Sequence, residues 1–346
     1  MYIKKNFGLM SILRFTGGHL LWITVWVTLV AAVHGFTHWQ WMEIPWLPLS
    51  VIGTAVAFYI GFKNNQAYDR LWEARKIWGA IINSSRAWGA MVKAYIGNQF
   101  TQEDYSKEEL QSIHKKMMYR HIAWLYALRS QLLLPTPWEH ISQGKHVRRA
   151  TEKRMKRYGI GLLGDMNTEQ CLRSFLPAEE HDRLINYRNT ATQIIDQQSQ
   201  DLAEFRRKGL IDDFRHMELQ GILNEFYVHQ GKCERIKKFP LPRQYGSMSF
   251  IFVGLFIFLL PFGMTTAFHD MAGHWGHFVS IPLTVMVAWV YITMELIGDY
   301  SENPFEGLGN DIPMLSLCRV IEIDLKEMLG EDEIPDPVQA VNGVLM

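Results

Sequence analysis

The sequence has little cysteine and no excess of charge of either sign. Its 346 residues contain three cysteines, Cys171, Cys233 and Cys318, and none of them forms a CxxC pair or has metal-ligand spacing. A disulfide framework and a cysteine-bound zinc site are therefore not expected, and the three are predicted to be reduced thiols. The 35 Lys and Arg balance the 35 Asp and Glu, so net charge does not favour a nucleic-acid partner and none is predicted.

Charged side chains are also almost absent from four long apolar stretches. They cover residues 20–33, 44–62, 248–268 and 278–297, and Glu295 is the single charged side chain within them. Each approaches the roughly 20 residues that cross a bilayer as a helix. The first is too long and too aromatic for a signal peptide, so it is predicted to be a retained span. The sequence thus predicts an all-α polytopic membrane protein with four transmembrane helices per subunit.

Lys and Arg are absent from two short linkers, "HGFTHWQWME" and "HDMAGHWGH". Because basic residues next to spans stay on the cytoplasmic side, both termini and the long middle segment are predicted to be cytoplasmic. The expected location is the cell inner membrane. Four regions follow: 1–62 with an N-terminal helix and two spans, 63–246 as a cytoplasmic helical region, 247–298 with two spans, and 299–346 as a cytoplasmic C-terminal segment.

The middle segment is rich in helix-forming residues and shows apolar side chains at three-to-four spacing, the pattern of amphipathic helices. Examples are Ile77, Ile81, Ile82 and Trp88, and later Ile194, Ile195, Leu202 and Phe205. The segment "HIAWLYALRSQLLLP" is predicted to be a buried helix that ends at Pro135, and "EDEIPDPVQAVNGVLM" is predicted to be an extended tail.

Enzyme signatures are weak. The segment "GIGLLG" at 159–164 has GxGxxG spacing, but basic residues precede it where a dinucleotide loop needs an apolar strand, so a flexible connection is predicted. The basic run 145–157 is typical of a solvated face, and contact with the head groups of anionic lipids is the alternative. Histidines cluster in the two short linkers, at 34, 38, 269, 274 and 277, and leave a metal or proton-sensing site open. No catalytic residue is predicted, and the protein is not expected to be an enzyme.

In the second span, Thr54, Phe58 and Phe62 are four residues apart and lie on one helix face. In a single copy this stripe would pack against another span. If several copies surround an axis, the same stripe would form stacked rings and a hydrophobic constriction that controls ion passage by dewetting. Periodicity leaves both interpretations open.

Three segments resemble the bestrophin family, in particular its bacterial homologues. "GFKNNQAYDRLWEARKIWGAIINSSRAWG" at 61–89 resembles the family's motif after the pore-lining helix, with Lys63 where Arg is more usual. "CERIKKFPLPRQY" at 233–245 and "GDYSENPFEGLGNDIPMLSLCRVIEIDL" at 298–325 resemble the family's segments before the third span and after the fourth. Together they extend from the second span to near the C-terminus.

This resemblance implies a passive ion channel, a homopentamer with one pathway along its axis. It implies a membrane neck formed by Thr54, Phe58 and Phe62, in which Thr54 makes the outermost ring wider and more polar than usual in the family. A second constriction, the cytoplasmic aperture, is expected at Phe214 or Met217. Charged residues just beyond the second span are expected to pair between helices near the neck, or else to be exposed: Asp69, Arg70, Glu73 and Arg75.

Eukaryotic relatives are calcium-activated chloride channels with an acidic cluster after the NPF motif. The corresponding "NPFEGLGND" has no run of aspartates, so calcium regulation is not expected and no cofactor is required. The resemblance to bacterial members of the family favours conduction of monovalent cations. The alternatives are a chloride-conducting channel of the same architecture or, in a different class, a membrane-anchored enzyme or sensor that acts through its cytoplasmic helices. A secondary transporter would need inverted repeats, which are not evident.

Overall fold

A computed structural model describes residues 1–37, 39–158 and 168–346. These residues form helices joined by short connections, and the described ranges contain no strand. Two isolated bridges, Tyr2 with Val344 and Val341 with Val344, involve the C-terminal tail. The helices are α1 Leu9–Thr37, α2 Trp46–Tyr95, α3 Lys107–Leu133, α4 Lys145–Tyr158, α5 Thr168–Phe175, α6 Ala178–Leu184, α7 Thr190–Arg207, α8 Asp213–Lys238, α9 Arg243–Ala272, α10 Gly276–Asp299 and α11 Met314–Leu329. The predicted all-helical class is confirmed.

The chain divides into two compact units. The first, here called the membrane unit, comprises Lys4–Arg70 and Pro240–Glu302, and the second, the polar unit, comprises Met1–Ile3, Leu71–Phe239 and Asn303–Met346. Within the described residues, four helical segments are long and apolar enough to cross a membrane: α1, α2, the segment that contains α9, and α10. The four predicted spans are therefore confirmed as helices, each longer than its apolar block.

The membrane unit has its own apolar core. Ile23 of α1, Ile60 of α2, Ile257 of α9 and Ile292 of α10 are buried together. The indole N–H of Trp26 donates to the backbone oxygen of Phe258 at 3.2 Å, and the two rings stack with centroids 4.8 Å apart. Long aromatic and branched side chains thus join α1 to α9, and the polar indole nitrogen has a partner.

The polar unit packs around α3. A capping box starts this helix, because the Ser106 side chain accepts from the Glu109 backbone N–H while the Glu109 side chain accepts from that of Ser106. The second half of α3 is almost entirely buried, and it ends before Pro135, which confirms the predicted buried helix. Large aromatic side chains fill the surrounding core: Trp78, Trp88, Trp124 and Phe226.

The predicted amphipathic stripes are also confirmed. Ile77, Ile81 and Trp88 on α2 and Ile194, Ile195, Leu202 and Phe205 on α7 are buried, while Ile82 is half-buried. The C-terminal segment after α11 contains no helix, as predicted for an extended tail. The predicted connection at 159–164 lies outside the described residues.

Candidate functional site

An open groove of about 550 Å³ runs along α2 in the membrane unit. It is lined by Thr54, Ala57, Phe58, Gly61, Phe62 and Asn65 of α2 and by Tyr291 of α10. The three predicted neck residues therefore share one groove. None of the lining side chains carries a formal charge, so the groove combines apolar walls with the hydroxyl of Tyr291 and the amide of Asn65.

Phe58 and Phe62, which are predicted to form the neck, are exposed in the membrane unit. Phe58 is 67% exposed and Phe62 is 66% exposed, although both are large apolar side chains in a helix whose opposite face is buried. The hydroxyl of Thr54 donates to the backbone oxygen of Ser50 at 2.9 Å, so part of its polarity is used within its own helix. The Thr54 hydroxyl therefore has no proton left to donate to a molecule in the groove.

A glycine sets how closely α2 approaches its neighbours behind the groove. A Cβ added at Gly53 would lie 2.8 Å from Cε2 of Phe256. The backbone oxygen of Gly53 accepts a hydrogen bond from the Tyr291 hydroxyl at 3.0 Å, and the Phe256 and Tyr291 rings contact each other with centroids 4.5 Å apart. Tight packing at Gly53 therefore holds the back of α2 and leaves its phenylalanine face in the groove.

A buried ion pair begins directly after Phe62 in α2. Lys63 is 2% exposed and its ammonium donates to Oε1 of Glu295, whose side chain is also 2% exposed. The second carboxylate oxygen of Glu295 accepts from the Ser249 hydroxyl. The cluster links α2, α10 and α9, and both charges have partners, as burial in a membrane requires.

Sequence reasoning did not identify this cluster as a site. Two signals were available: Glu295 is the single charge in the four apolar stretches, and Lys63 directly follows the second stretch. The neighbouring Asn64 also has a structural contact, because its amide donates to the backbone oxygen of Met294 at 3.1 Å. Asn65, one residue further, is exposed and lines the groove.

The four charged residues predicted to pair near the neck have different environments. In the membrane unit, Arg70 Nε donates to the backbone oxygen of Glu302 at 2.8 Å. In the polar unit, Glu73 forms an ion pair with Arg235 and so joins α2 to α8. Asp69 and Arg75 are exposed, and neither forms an ion pair with another described residue.

The two candidates for the aperture lie in the first turns of α8. Asp212 caps this helix by accepting from the backbone N–H of Arg215 at 2.9 Å. Phe214 is 80% exposed and Met217 is 72% exposed, and their spacing of three places them on one face. Both remain candidates, since both side chains project from the same surface of the polar unit.

The acidic residues after the NPF motif accept hydrogen bonds from protein groups. Asp311 is buried, and its Oδ2 accepts from the backbone N–H groups of Gly307 at 2.8 Å and Leu308 at 2.9 Å. Glu306 accepts from the backbone N–H of His140 and contacts Nδ1 of the same residue at 2.9 Å. These carboxylates are thus surrounded by donors, which does not match the six or more oxygens of a calcium site. Independence from calcium stays a prediction.

Burial changes the pKa of Asp311. Its removal from water raises the pKa of the carboxyl to about 7, and the nearby Glu306 carboxylate acts in the same direction. The two backbone hydrogen bonds oppose this rise but do not cancel it.

Three of the predicted linker histidines come together in the membrane unit. The ring of His277 lies 4.9 Å from that of His34 and 4.7 Å from that of His269, centroid to centroid, and the second pair is nearly parallel. The described residues contain no group of three or more His, Cys, Asp or Glu arranged for a metal ion. His38 lies outside the described residues.

Comparison with known proteins identifies the family. The chain is 27% identical over 288 residues to the voltage-dependent anion channel-forming protein YneE of Escherichia coli K12, covering 83% of this chain and 78% of that one. It is 26% identical over 324 residues to the voltage-dependent anion channel-forming protein RSc3414 of Ralstonia nicotianae, covering 92% and 89%.

The fold is similar to that of a bacterial bestrophin homolog from Klebsiella pneumoniae, with a TM-score of 0.73 and 20% identity over 91% of this chain and 98% of that one. Residues 10–327 match the family described as Bacterial/Fungal Bestrophin protein. The chain therefore belongs to the bestrophin family, as the resemblance of its three motifs predicted.

Proposed function

We propose that this protein is the subunit of an anion-conducting channel, with the α2 groove as its share of the ion pathway. The observation that carries the proposal is the exposed stripe of Phe58 and Phe62 on a helix that is long and apolar enough to span a membrane. Large aromatic rings exposed along an uncharged groove are suited to a constriction that gates by dewetting.

Two relatives named as voltage-dependent anion channel-forming proteins support conduction of anions. They favour the chloride-conducting alternative over the cation selectivity that was expected from the sequence. The family and these names also support a channel rather than a membrane-anchored enzyme or sensor.

The groove requires further copies to enclose a pathway, because in one chain it is open to the side. A homopentamer, with five Phe58 and five Phe62 side chains in two rings, is the arrangement proposed here. Native mass spectrometry of the purified protein in detergent tests the number, and a predominant mass of any other multiple contradicts it.

The proposed orientation has both termini on the cytoplasmic side of the inner membrane. The absence of Lys and Arg from the linkers after α1 and α9 supports it. Membrane lipids and monovalent ions are then the remaining partners. Trp41 and Trp275 are exposed in these linkers. Labelling of Trp41→Cys and Trp275→Cys tests the orientation, since an impermeant thiol reagent added to intact spheroplasts should label both introduced cysteines.

The decisive experiment is planar-bilayer recording of purified protein in asymmetric KCl. A reversal potential close to the chloride equilibrium value is expected. Phe58→Ala should increase the single-channel current severalfold, because the smaller side chain widens a ring and lowers its dewetting barrier. Phe36→Ala is the matched control, since Phe36 is also an exposed phenylalanine of the membrane unit but lies outside the groove.

Three results would count against the proposal. A reversal potential at the potassium equilibrium value would restore the cation interpretation. Equal effects of Phe58→Ala and Phe36→Ala would remove the groove as the pathway. Folded protein without current under any applied voltage would overturn conduction itself.

A further inference from the structure

We propose that Lys63 and Glu295 are specificity-determining residues, which keep the neck electrically neutral by cancelling each other's charge. This inference rests on the proposed function, because it concerns which ions pass the groove. It assigns a role to two side chains that lie outside the groove lining and make no contact with a passing ion.

The first step concerns the lining of the groove. Its seven residues include no Lys, Arg, Asp, Glu or His, so formal charges act on an ion in the groove only from behind its surface. Such charges act strongly on an ion in a narrow apolar passage, since little water or salt is present to screen them.

The second step concerns the nearest buried charges. Lys63 directly follows Phe62 in α2, and Glu295 follows Tyr291 by one helical turn in α10, so each charge is adjacent in its helix to a residue that lines the groove. Both are almost fully buried, and the ammonium donates directly to the carboxylate. The two charges are therefore held behind the groove with a net charge of zero.

The third step concerns how firmly the pair is held. The free carboxylate oxygen of Glu295 accepts from Ser249 on α9, and the adjacent Asn64 amide donates to the backbone oxygen of Met294 on α10. A Cβ at Gly298 would overlap Oδ1 of Asn64, so α2 and α10 are in close contact here. Both side chains are almost fully buried, so either charge is left in a poorly hydrated site when its partner is removed.

The consequence of removing one charge can be scaled from Coulomb's law. We take the distance from the remaining charge to a permeating ion as about 10 Å, the thickness of a helix. At an effective dielectric constant of about 20, the potential at that distance changes the probability that the ion occupies the groove by about tenfold. The charge is repeated in every copy around the axis. A change of about tenfold in the chloride-to-sodium permeability ratio is therefore the expected minimum.

The experiment measures this ratio from reversal potentials in asymmetric NaCl. Glu295→Gln leaves Lys63 uncompensated and should shift the ratio at least about tenfold toward chloride. Lys63→Met leaves Glu295 uncompensated and should shift it by a similar factor toward sodium. The double variant should return the ratio to the native value, and so should the exchanged pair Lys63→Glu with Glu295→Lys.

A matched control is present in the polar unit, where Lys237 and Glu139 form a similarly buried ion pair. Lys237→Met and Glu139→Gln remove charges of the same chemistry, and both should leave the ratio unchanged. Exposed Asn65 provides variants that do not disturb packing. Asn65→Lys should shift the ratio toward chloride and Asn65→Asp toward sodium, even if a single variant of the buried pair fails to fold.

Each outcome decides the inference. Opposite shifts in the two single variants, with recovery in the double variant, support it. Native ratios in both single variants overturn it while the channel proposal stands. Native ratios in both Asn65 variants overturn the groove as the ion pathway, and the inference falls with it. Absence of current in the native protein instead refutes the proposed function, and the two failures are thereby distinguished.

Discussion

Replacing Asp311 by Asn should remove a pH dependence from the stability of this protein. The carboxyl is buried and its pKa is raised to about 7, first by its removal from water and then by the nearby Glu306 carboxylate. Asparagine has the same shape, and its Oδ1 can still accept from the backbone N–H groups of Gly307 and Leu308. The substitution therefore changes the titration while it retains the local hydrogen bonds.

The sign and size follow from proton linkage. An aspartate in the unfolded chain has a pKa near 3.8, so between that value and pH 7 the folded protein holds a proton that the unfolded chain does not. This contribution to stability is fully present below about pH 4 and is lost as the pH rises through 7. Between pH 5 and 8 the loss amounts to about 3 kcal/mol, which corresponds to roughly 5 °C in Tm.

The assay is thermal unfolding of the purified protein in detergent, followed by tryptophan fluorescence from pH 5 to 8. The Tm of the native protein minus that of Asp311→Asn should fall by roughly 5 °C across this range. Asp332→Asn is the control, because Asp332 is exposed. Parallel pH profiles for the native protein and Asp311→Asn would show that Asp311 does not hold a proton near neutral pH, and the reasoning from burial would be refuted.

Three further predictions concern other buried groups. Burial lowers the pKa of His121 to about 3, so its contribution to stability is present above about pH 6.5 and is lost as the pH falls. His121→Gln should therefore lose about 2 kcal/mol less stability than the native protein between pH 7 and 5, and equal melting profiles would contradict this. Gly298→Ala should destabilise the protein by about 1–3 kcal/mol, because the new Cβ would overlap Oδ1 of Asn64. Asn64→Ala in the same chain should restore part of the lost Tm, and an unchanged Tm in Gly298→Ala alone would contradict this prediction. Burial raises the pKa of the Cys233 and Cys318 thiols, so a disulfide reagent at pH 8 should label neither thiol in the native protein and both after denaturation. Rapid labelling of either cysteine in the native protein would contradict its burial.

The groove shows how much of the candidate site can be predicted from the local spacing of residues in the sequence. The four-residue spacing of Thr54, Phe58 and Phe62 was sufficient to place them on one face, since a helix repeats every 3.6 residues. It was not sufficient to decide whether that face packs against another span. The structure shows both phenylalanines exposed, because Gly53 and Ile60 on other faces of α2 make the contacts with the rest of the membrane unit.

The charged residues beyond the second span show the opposite case. Arg70 binds a backbone oxygen 232 residues away in the chain, and Glu73 pairs with Arg235. Nothing in the spacing of Asp69, Arg70, Glu73 and Arg75 distinguishes the two that make these contacts from the two that are exposed. The choice of Phe214 or Met217 for the aperture is open for a related reason, since both side chains lie on the same face of α8.

The sequence by itself determined the class of this protein, its spans and its family. Four apolar stretches that share a single charged residue specify membrane helices, because an isolated charge is costly in a bilayer. Three motifs in order specify the bestrophin family. The tertiary structure alone decided which polar groups neutralise each other. Lys63 and Glu295 are 232 residues apart, and only the packing of α2 against α10 makes them an ion pair. Such pairing depends on distances in space, which a linear pattern of residues does not contain.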